Sequence, residues 1–227
     1  MPSSPELIAH RGASAERPEN TMTAFEQALA LGAGAVELDV HLTADGHLVV
    51  HHDPVVRDGP RTARIRSLTL SDLAAFRVGS EPIPALADVI LGVGGRLRIY
   101  CELKGADTAR PAVAALLPLG DGAAVHSFDH RMVAEARAAA PSVSRGVLEA
   151  SYLLDPVAVV RAVAGRDLWQ QESMIDAPLV TGIHEAGLRV IAWTVNDPAR
   201  ARQLAALGVD GLCTDDVSGI RTALTAK

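Results

Sequence analysis

Short apolar runs recur along the chain, each followed by polar residues and then by a stretch whose apolar positions repeat every three to four residues. The runs, rich in β-branched residues, are 7–10, 35–42, 97–103, 124–128, 144–148, 168–170, 189–195 and 211–213. The periodic stretches are 21–31, 71–76 with 85–91, 108–116, 131–139, 156–164, 177–186, 199–207 and 218–224. Strands separated by helices imply βαβ units and a parallel sheet. Eight of each is the tally of a (β/α)8 TIM barrel, and 227 residues suffice for a compact one. A doubly wound open sheet would need a Gly-rich phosphate loop after the first strand, and no G-x-G-x-x-G stands there. One segment breaks the alternation. Asp45-Gly46 is a two-residue turn between 40–42 and 48–50, which predicts a short β-excursion after strand two, returning through His51-His52-Asp53. Asn20 or Thr21 can cap the first helix. No linker or low-complexity tract divides the chain, so residues 1–227 read as one barrel domain.

In such a barrel the chemistry sits where the strands end. Strand one ends in His10-Arg11-Gly12, strand two contains Glu37-Leu38-Asp39, and strand three ends in Glu102-Leu103-Lys104. Side chains at i and i+2 share a face of a strand. Glu37 and Asp39 therefore point inward together, as do Glu102 and Lys104, while Val36, Leu38, Val40, Cys101 and Leu103 face the helices. Acidic groups within apolar strands are costly to bury unless paired or bound to metal. Two arrangements answer that cost. Glu37, Asp39 and Glu102 converge on a hard divalent cation, Mg2+ or Ca2+, or they form ion pairs with Arg11 and Lys104. His10 and His52 end strand-like runs near the same mouth. Two imidazoles beside a divalent ion suit phosphoryl chemistry, one as general base and one as general acid. Arg11 and Lys104 would then face the phosphate oxygens.

Composition sharpens one residue and excludes some partners. Of 21 Lys+Arg only two are lysines, Lys104 and the terminal Lys227, so Lys104 is the lone interior lysine of an arginine-rich chain. Net charge is −6 with no basic block, which argues against nucleic acid. Residues 1–6 lack the basic start of a signal peptide, and no apolar run reaches the roughly 18 residues of a membrane span. No stable membrane anchor is expected, and homo-oligomerisation is left open. Cys101 and Cys213 have no metal-ligand spacing and read as buried free thiols of a cytoplasmic protein.

The motifs together resemble the glycerophosphodiester phosphodiesterase family. They are His10-Arg11-Gly12, Pro18-Glu19-Asn20-Thr21, Glu37-Leu38-Asp39-Val40, His52-Asp53, Arg61-Thr62, Ile83-Pro84-x-Leu86, Glu102-Leu103-Lys104 and Ser127-Phe128-Asp129, then Trp193-Thr194-Val195-Asn196, Gly208-Val209-Asp210-Gly211 and Thr214-Asp215. The resemblance spans nearly the whole chain. It implies a TIM barrel that hydrolyses small-molecule glycerophosphodiesters to glycerol 3-phosphate and an alcohol, with one divalent metal ion. By motif position it implies Glu37, Asp39 and Glu102 as metal ligands, His10 and His52 as base and acid, and Arg11 and Lys104 on the phosphate. It also implies attack by a neighbouring glycerol hydroxyl, through a cyclic phosphate that water opens. The segment from Pro54 to Pro84 is shorter than the family's usual one. His51 stands beside His52, and His52 is the choice because it adjoins Asp53.

Other side chains carry open readings. Glu19 is a pocket residue or a favourable charge at a helix N-terminus. Phe128 and Trp193, two of only seven aromatics, wall the pocket or fill the barrel top. His126 either contacts the substrate or fills the barrel interior, and His41, His47, His130 and His184 read as solvent-facing or structural. The rival functions are a lysophospholipase D or phosphatidylinositol-phospholipase-like phosphodiesterase and, from a different class, a non-catalytic barrel that binds phosphorylated metabolites.

Overall fold

The computed structural model describes residues 4–225. Lys227, and the first three of the residues read against a signal peptide, lie outside that range. The chain runs β1 (Glu6–His10), α1 (Met22–Ala30), β2 (Ala35–Leu42), β3 (Leu48–Val50), β4 (Val55–Asp58), β5 (Arg61–Arg64), α2 (Leu70–Leu73), β6 (Arg77–Val78), β7 (Glu81–Pro82) and α3 (Leu86–Val93). It continues with β8 (Arg98–Leu103), α4 (Ala109–Leu116), β9 (Ala123–Ser127), α5 (His130–Ala139), β10 (Ser144–Glu149) and α6 (Pro156–Ala162). It ends with β11 (Asp167–Gln171), α7 (Ala177–Glu185), β12 (Arg189–Trp193), α8 (Pro198–Leu207), β13 (Gly211–Thr214) and α9 (Val217–Thr225).

Strands β1, β2 and β8 to β13 are parallel and hydrogen-bonded in order around a ring. The ring closes because β1 pairs with β13 on one side, Ile8 opposite Cys213, and with β2 on the other, His10 opposite Glu37. This is the expected (β/α)8 barrel. Strand alternation fills it. Ile8, Ala35, Tyr100, Ala124, Leu148, Trp169, Ile191 and Cys213, one from each strand, pack as an inner cluster. The alternate residues Val36, Leu38, Val40, Cys101 and Leu103 pack outward against the helices. Below the inner cluster, ion pairs close the floor. Fully buried Asp167 meets Arg166 at 2.7 Å and Arg189 at 3.3 Å, and the Tyr100 hydroxyl donates to Glu6 at 2.8 Å. Polar side chains on the strand ends are thereby confined to the opposite mouth.

The helices start close to that mouth. Asp129, Asp155, Asp176 and Asp197 accept backbone N–H bonds as N-caps of α5, α6, α7 and α8. Proline follows within two residues in the last three, where a missing N–H costs nothing. Thr21, not Asn20, caps α1. The β-excursion pairs as expected, Val40 with Val50 and Leu42 with Leu48. Beyond it the chain differs from its pattern. The helix expected over 71–76 is four residues long, because the Thr69–Asp72 capping box starts it and the hairpin β6–β7 follows at once. Phe76 lies outside it and joins Val49, Val56, Ile65 and Leu73 in a small second core. The sixth barrel strand carries Gln170 because its amide donates to the carbonyls of Glu149 and Ser151, both at 3.2 Å.

Candidate active site

His10 is the last residue of β1, and its ring is held on one side. Nδ1 stands 2.6 Å from Asp215 Oδ1, and Nε2 lies 3.9 Å from Glu37 Oε2. Asp215 follows β13 and also accepts bonds from Ser14 at 3.0 Å and Asn196 at 2.6 Å. Burial alone would lower the imidazole's proton affinity. The Asp215 bond and the Glu37 charge outweigh it, so His10 titrates above its ordinary value. Asp215 in turn is pulled down to about 2: burial opposes the shift, and its bonds to His10 and Asn196 outweigh burial. The Thr214-Asp215 motif carries no assigned role in the sequence, and the signal for Asp215 is an acid just past the last strand.

Arg11 occupies the left-handed region, φ 56°, which costs an ordinary side chain about 1–2 kcal/mol. Its own N–H donates to Glu37 Oε2 at 3.2 Å. The next residue, Gly12, has φ 82°, and a Cβ there would sit 2.7 Å from the Ala24 backbone. The tight turn thus lets β1 hand Arg11 to the mouth while α1 packs directly behind it. The Arg11 guanidinium bridges Glu19, 3.0 Å from both carboxylate oxygens, and Asp39, 3.3 Å away. Glu19 is therefore a partner of Arg11 at the mouth rather than a charge on the helix end. Asn20 is fully buried and clamps Asp39, donating from Nδ2 at 2.8 Å and accepting the Asp39 N–H at 3.4 Å.

The three inward carboxylates do not share one environment. Asp39 is bound by Arg11, Asn20 and Lys104, whose Nζ is 3.4 Å away, and these hold it below the usual carboxylate range despite burial. Lys104 also donates to Glu102 at 3.0 Å. One ammonium cannot neutralise both acids. Burial, then the charges of Asp39 and Glu37, push Glu102 up to about 8. Among the described residues, the atoms grouped closely enough to hold a metal ion come from Glu37, Glu102 and His126, all within 4.8 Å of one another. Ion pairs reach both Asp39 and Glu102 through Lys104, and the crowding of three inward carboxylates is what raises Glu102.

His52 sits across the mouth from His10. Its Nδ1 lies 2.9 Å from Asp53, and its carbonyl accepts from buried His41 at 3.0 Å. His52, not His51, lines the two cavities of the site. The inner one, about 140 Å³, also touches His10, Arg11, Glu37, His126 and Trp193. The outer one, about 750 Å³, opens between the β-excursion and the loops after β8 and β9. His52, Glu102, Lys104 and Phe128 line both. Phe128 meets Trp193 edge to face at 5.3 Å and is 48% exposed, so the pair walls the mouth instead of filling it. Arg61, quoted among the motifs, pairs with Asp58 and stacks over Phe76, away from both cavities. His47, His130 and His184 pair with Asp45, Glu149 and Asp210 outside the site.

Comparison with known proteins agrees with this geometry. The model of the glycerophosphoryl diester phosphodiesterase family matches residues 10–218. A glycerophosphodiester phosphodiesterase of Caldanaerobacter subterraneus is 31% identical, over 92% of this chain and 93% of the relative. One of Bacillus altitudinis is 29% identical, over 92% and 94%. An Oleispira antarctica phosphodiesterase, solved with its product sn-glycerol-3-phosphate, superposes with a TM-score of 0.91 at 26% identity, over 98% of both chains. The chain belongs to the glycerophosphoryl diester phosphodiesterase family.

Proposed function

We propose that this protein, acting as one barrel domain over residues 1–227, hydrolyses glycerophosphodiesters to glycerol 3-phosphate and an alcohol. The observation that carries the reading is a pair of imidazoles, His10 and His52, each tied through Nδ1 to a carboxylate and both lining the inner cavity with Arg11 and Lys104. A carboxylate on Nδ1 fixes the ring and leaves Nε2 to move protons. His10 acts as base and takes the proton of a glycerol hydroxyl as its oxygen forms a bond to phosphorus. His52 acts as acid and donates a proton to the departing alkoxide as its bond to phosphorus breaks. The alcohol leaves into the outer cavity, which His52 lines. In the second step the roles exchange: His52 deprotonates water, and His10 returns its proton to the glycerol oxygen. Arg11 and Lys104 balance the phosphate oxygens, and Glu19 holds the Arg11 fork toward them. Phe128 and Trp193 wall the inner cavity against the alcohol group.

The residues also fit a divalent cation. Glu37, Asp39 and Glu102 would hold Mg2+ or Ca2+; the mutual repulsion that raises Glu102 to about 8 is what a cation among them would relieve. When bound, such an ion supplies positive charge to the developing phosphorane oxygens. A cytoplasmic setting is supported by two buried free cysteines, and none of the described helices is long and apolar enough to cross a membrane. The substrate is a small molecule.

A second reading, lysophospholipase D activity, draws on Phe128, Tyr152, Leu154 and Met174, all exposed on loops at the barrel mouth. Release of glycerol 3-phosphate from glycerophosphocholine tests the first reading. Wild type should release it, and His10→Ala should slow release by about 10²–10⁴. Near-normal turnover of the variant would reassign the base. Turnover of lysophosphatidylcholine with none of glycerophosphocholine would favour the second reading.

A further inference from the structure

We infer that His126 supplies a nitrogen ligand to the divalent ion, so that the ion is bound by a mixed nitrogen and oxygen set rather than by carboxylates alone. The inference rests on the metal reading above and extends it to a residue outside the carboxylate set.

His126 lies on β9 directly beside Glu102 on β8, the two Cα positions being register partners, so both side chains enter the barrel at one level. It is 1% exposed. Nδ1 is buried with no hydrogen-bond partner among the described residues, and Nε2 stands 3.6 Å from Glu37 Oε1, too far for a hydrogen bond. Nε2, the nitrogen on the carboxylate side, thus has no hydrogen-bond partner among the described residues and keeps its lone pair available to a cation. The ring cannot turn away to find a partner. It is stacked on Trp169, 4.2 Å between centroids and 13° between planes. An imidazole held so rigidly, facing two carboxylates within 4.8 Å, is placed as a ligand.

The other imidazole beside Glu37 is already committed. The ring of His10 is tied to Asp215, and its Nε2 is 3.9 Å from Glu37 on the open side of the site. The consequence is one of selectivity. Carboxylate sets suit Mg2+ and Ca2+, whereas imidazole favours later first-row ions such as Co2+ or Zn2+. This chain should therefore bind Co2+ with a preference over Ca2+ that depends on His126.

The test is calorimetric titration of chelator-stripped protein with Co2+ and with Ca2+, wild type against His126→Gln, which keeps a polar side chain. Co2+ affinity should fall by about tenfold or more while Ca2+ affinity stays within about threefold. Equal affinities in both proteins for both ions would overturn the assignment and leave His126 facing substrate. Pulsed EPR of Mn2+-loaded protein gives a second readout that survives misfolding of that variant. Nitrogen modulation should persist in His10→Gln; its loss there would assign the nitrogen to His10 and overturn the proposal. If wild type binds none of these ions, the metal reading falls with it. Release of glycerol 3-phosphate then decides separately whether the hydrolytic reading stands.

Discussion

Lys104 is set between Asp39 Oδ1 at 3.4 Å and Glu102 Oε1 at 3.0 Å, with Arg11 already on the far oxygen of Asp39. A compact ammonium fits that gap, and a second planar guanidinium would crowd it. Lys104→Arg should therefore lower kcat by about tenfold or more with an unchanged circular dichroism spectrum; full activity would make the lone interior lysine an accident. Asp215→Asn should cut kcat by about 10²–10⁴, as loss of the tautomer-fixing carboxylate does elsewhere. It also makes a pH prediction. Asp215 titrates at about 2, so its contribution to stability is present above its unfolded value of about 3.9 and is lost as pH falls toward 2. His10 is raised, so its contribution is present below about 6.5 and is lost as pH rises through the folded value. The stability gap between wild type and Asp215→Asn, read by urea titration, should thus be widest between about pH 4 and 6.5. A gap independent of pH would mean that the pair is not ionic. At this scale the sequence marked the acids, histidines and cations by strand alternation. It did not show how they divide. Nor did it show that Asn20, a residue that reads locally as a helix cap, is the one that clamps Asp39.

Among the elements, the barrel strands were legible because each apolar run has a buried counterpart on both faces, and the Asp–Pro starts mark where helices return. The excursion between β3 and α3 was not, because its elements are two to four residues long and its small core is assembled from scattered positions such as Val56 and Phe76. The turn from β1 to α1 is the element-scale device on which the site depends. Gly12→Ala adds a Cβ 2.7 Å from the Ala24 backbone at φ 82°, so the helix must shift and Arg11 with it. The variant should lose about 2 kcal/mol or more of stability, measured by urea denaturation. Its kcat should fall as well. A stable variant with normal kcat would show that the turn has slack the geometry does not suggest.

For the whole molecule, the barrel separates two polar assemblies by a layer of inner side chains. The floor network serves stability. Asp167→Ala leaves Arg166 without its carboxylate and Arg189 with Glu6 alone, which should cost about 2 kcal/mol and lower Tm by roughly 4–8 °C. At permissive temperature kcat should be unaffected, since the floor touches neither cavity of the site. The mouth network serves chemistry, and it crowds three inward carboxylates until one of them, Glu102, is pushed up to about 8. The central claim is accordingly a metal-supported hydrolysis, and glycerol 3-phosphate released from glycerophosphocholine measures it most directly. The account predicts release by purified protein, abolished by EDTA and restored by added Mg2+ or Ca2+. No release with any divalent ion, or release untouched by EDTA, would contradict it.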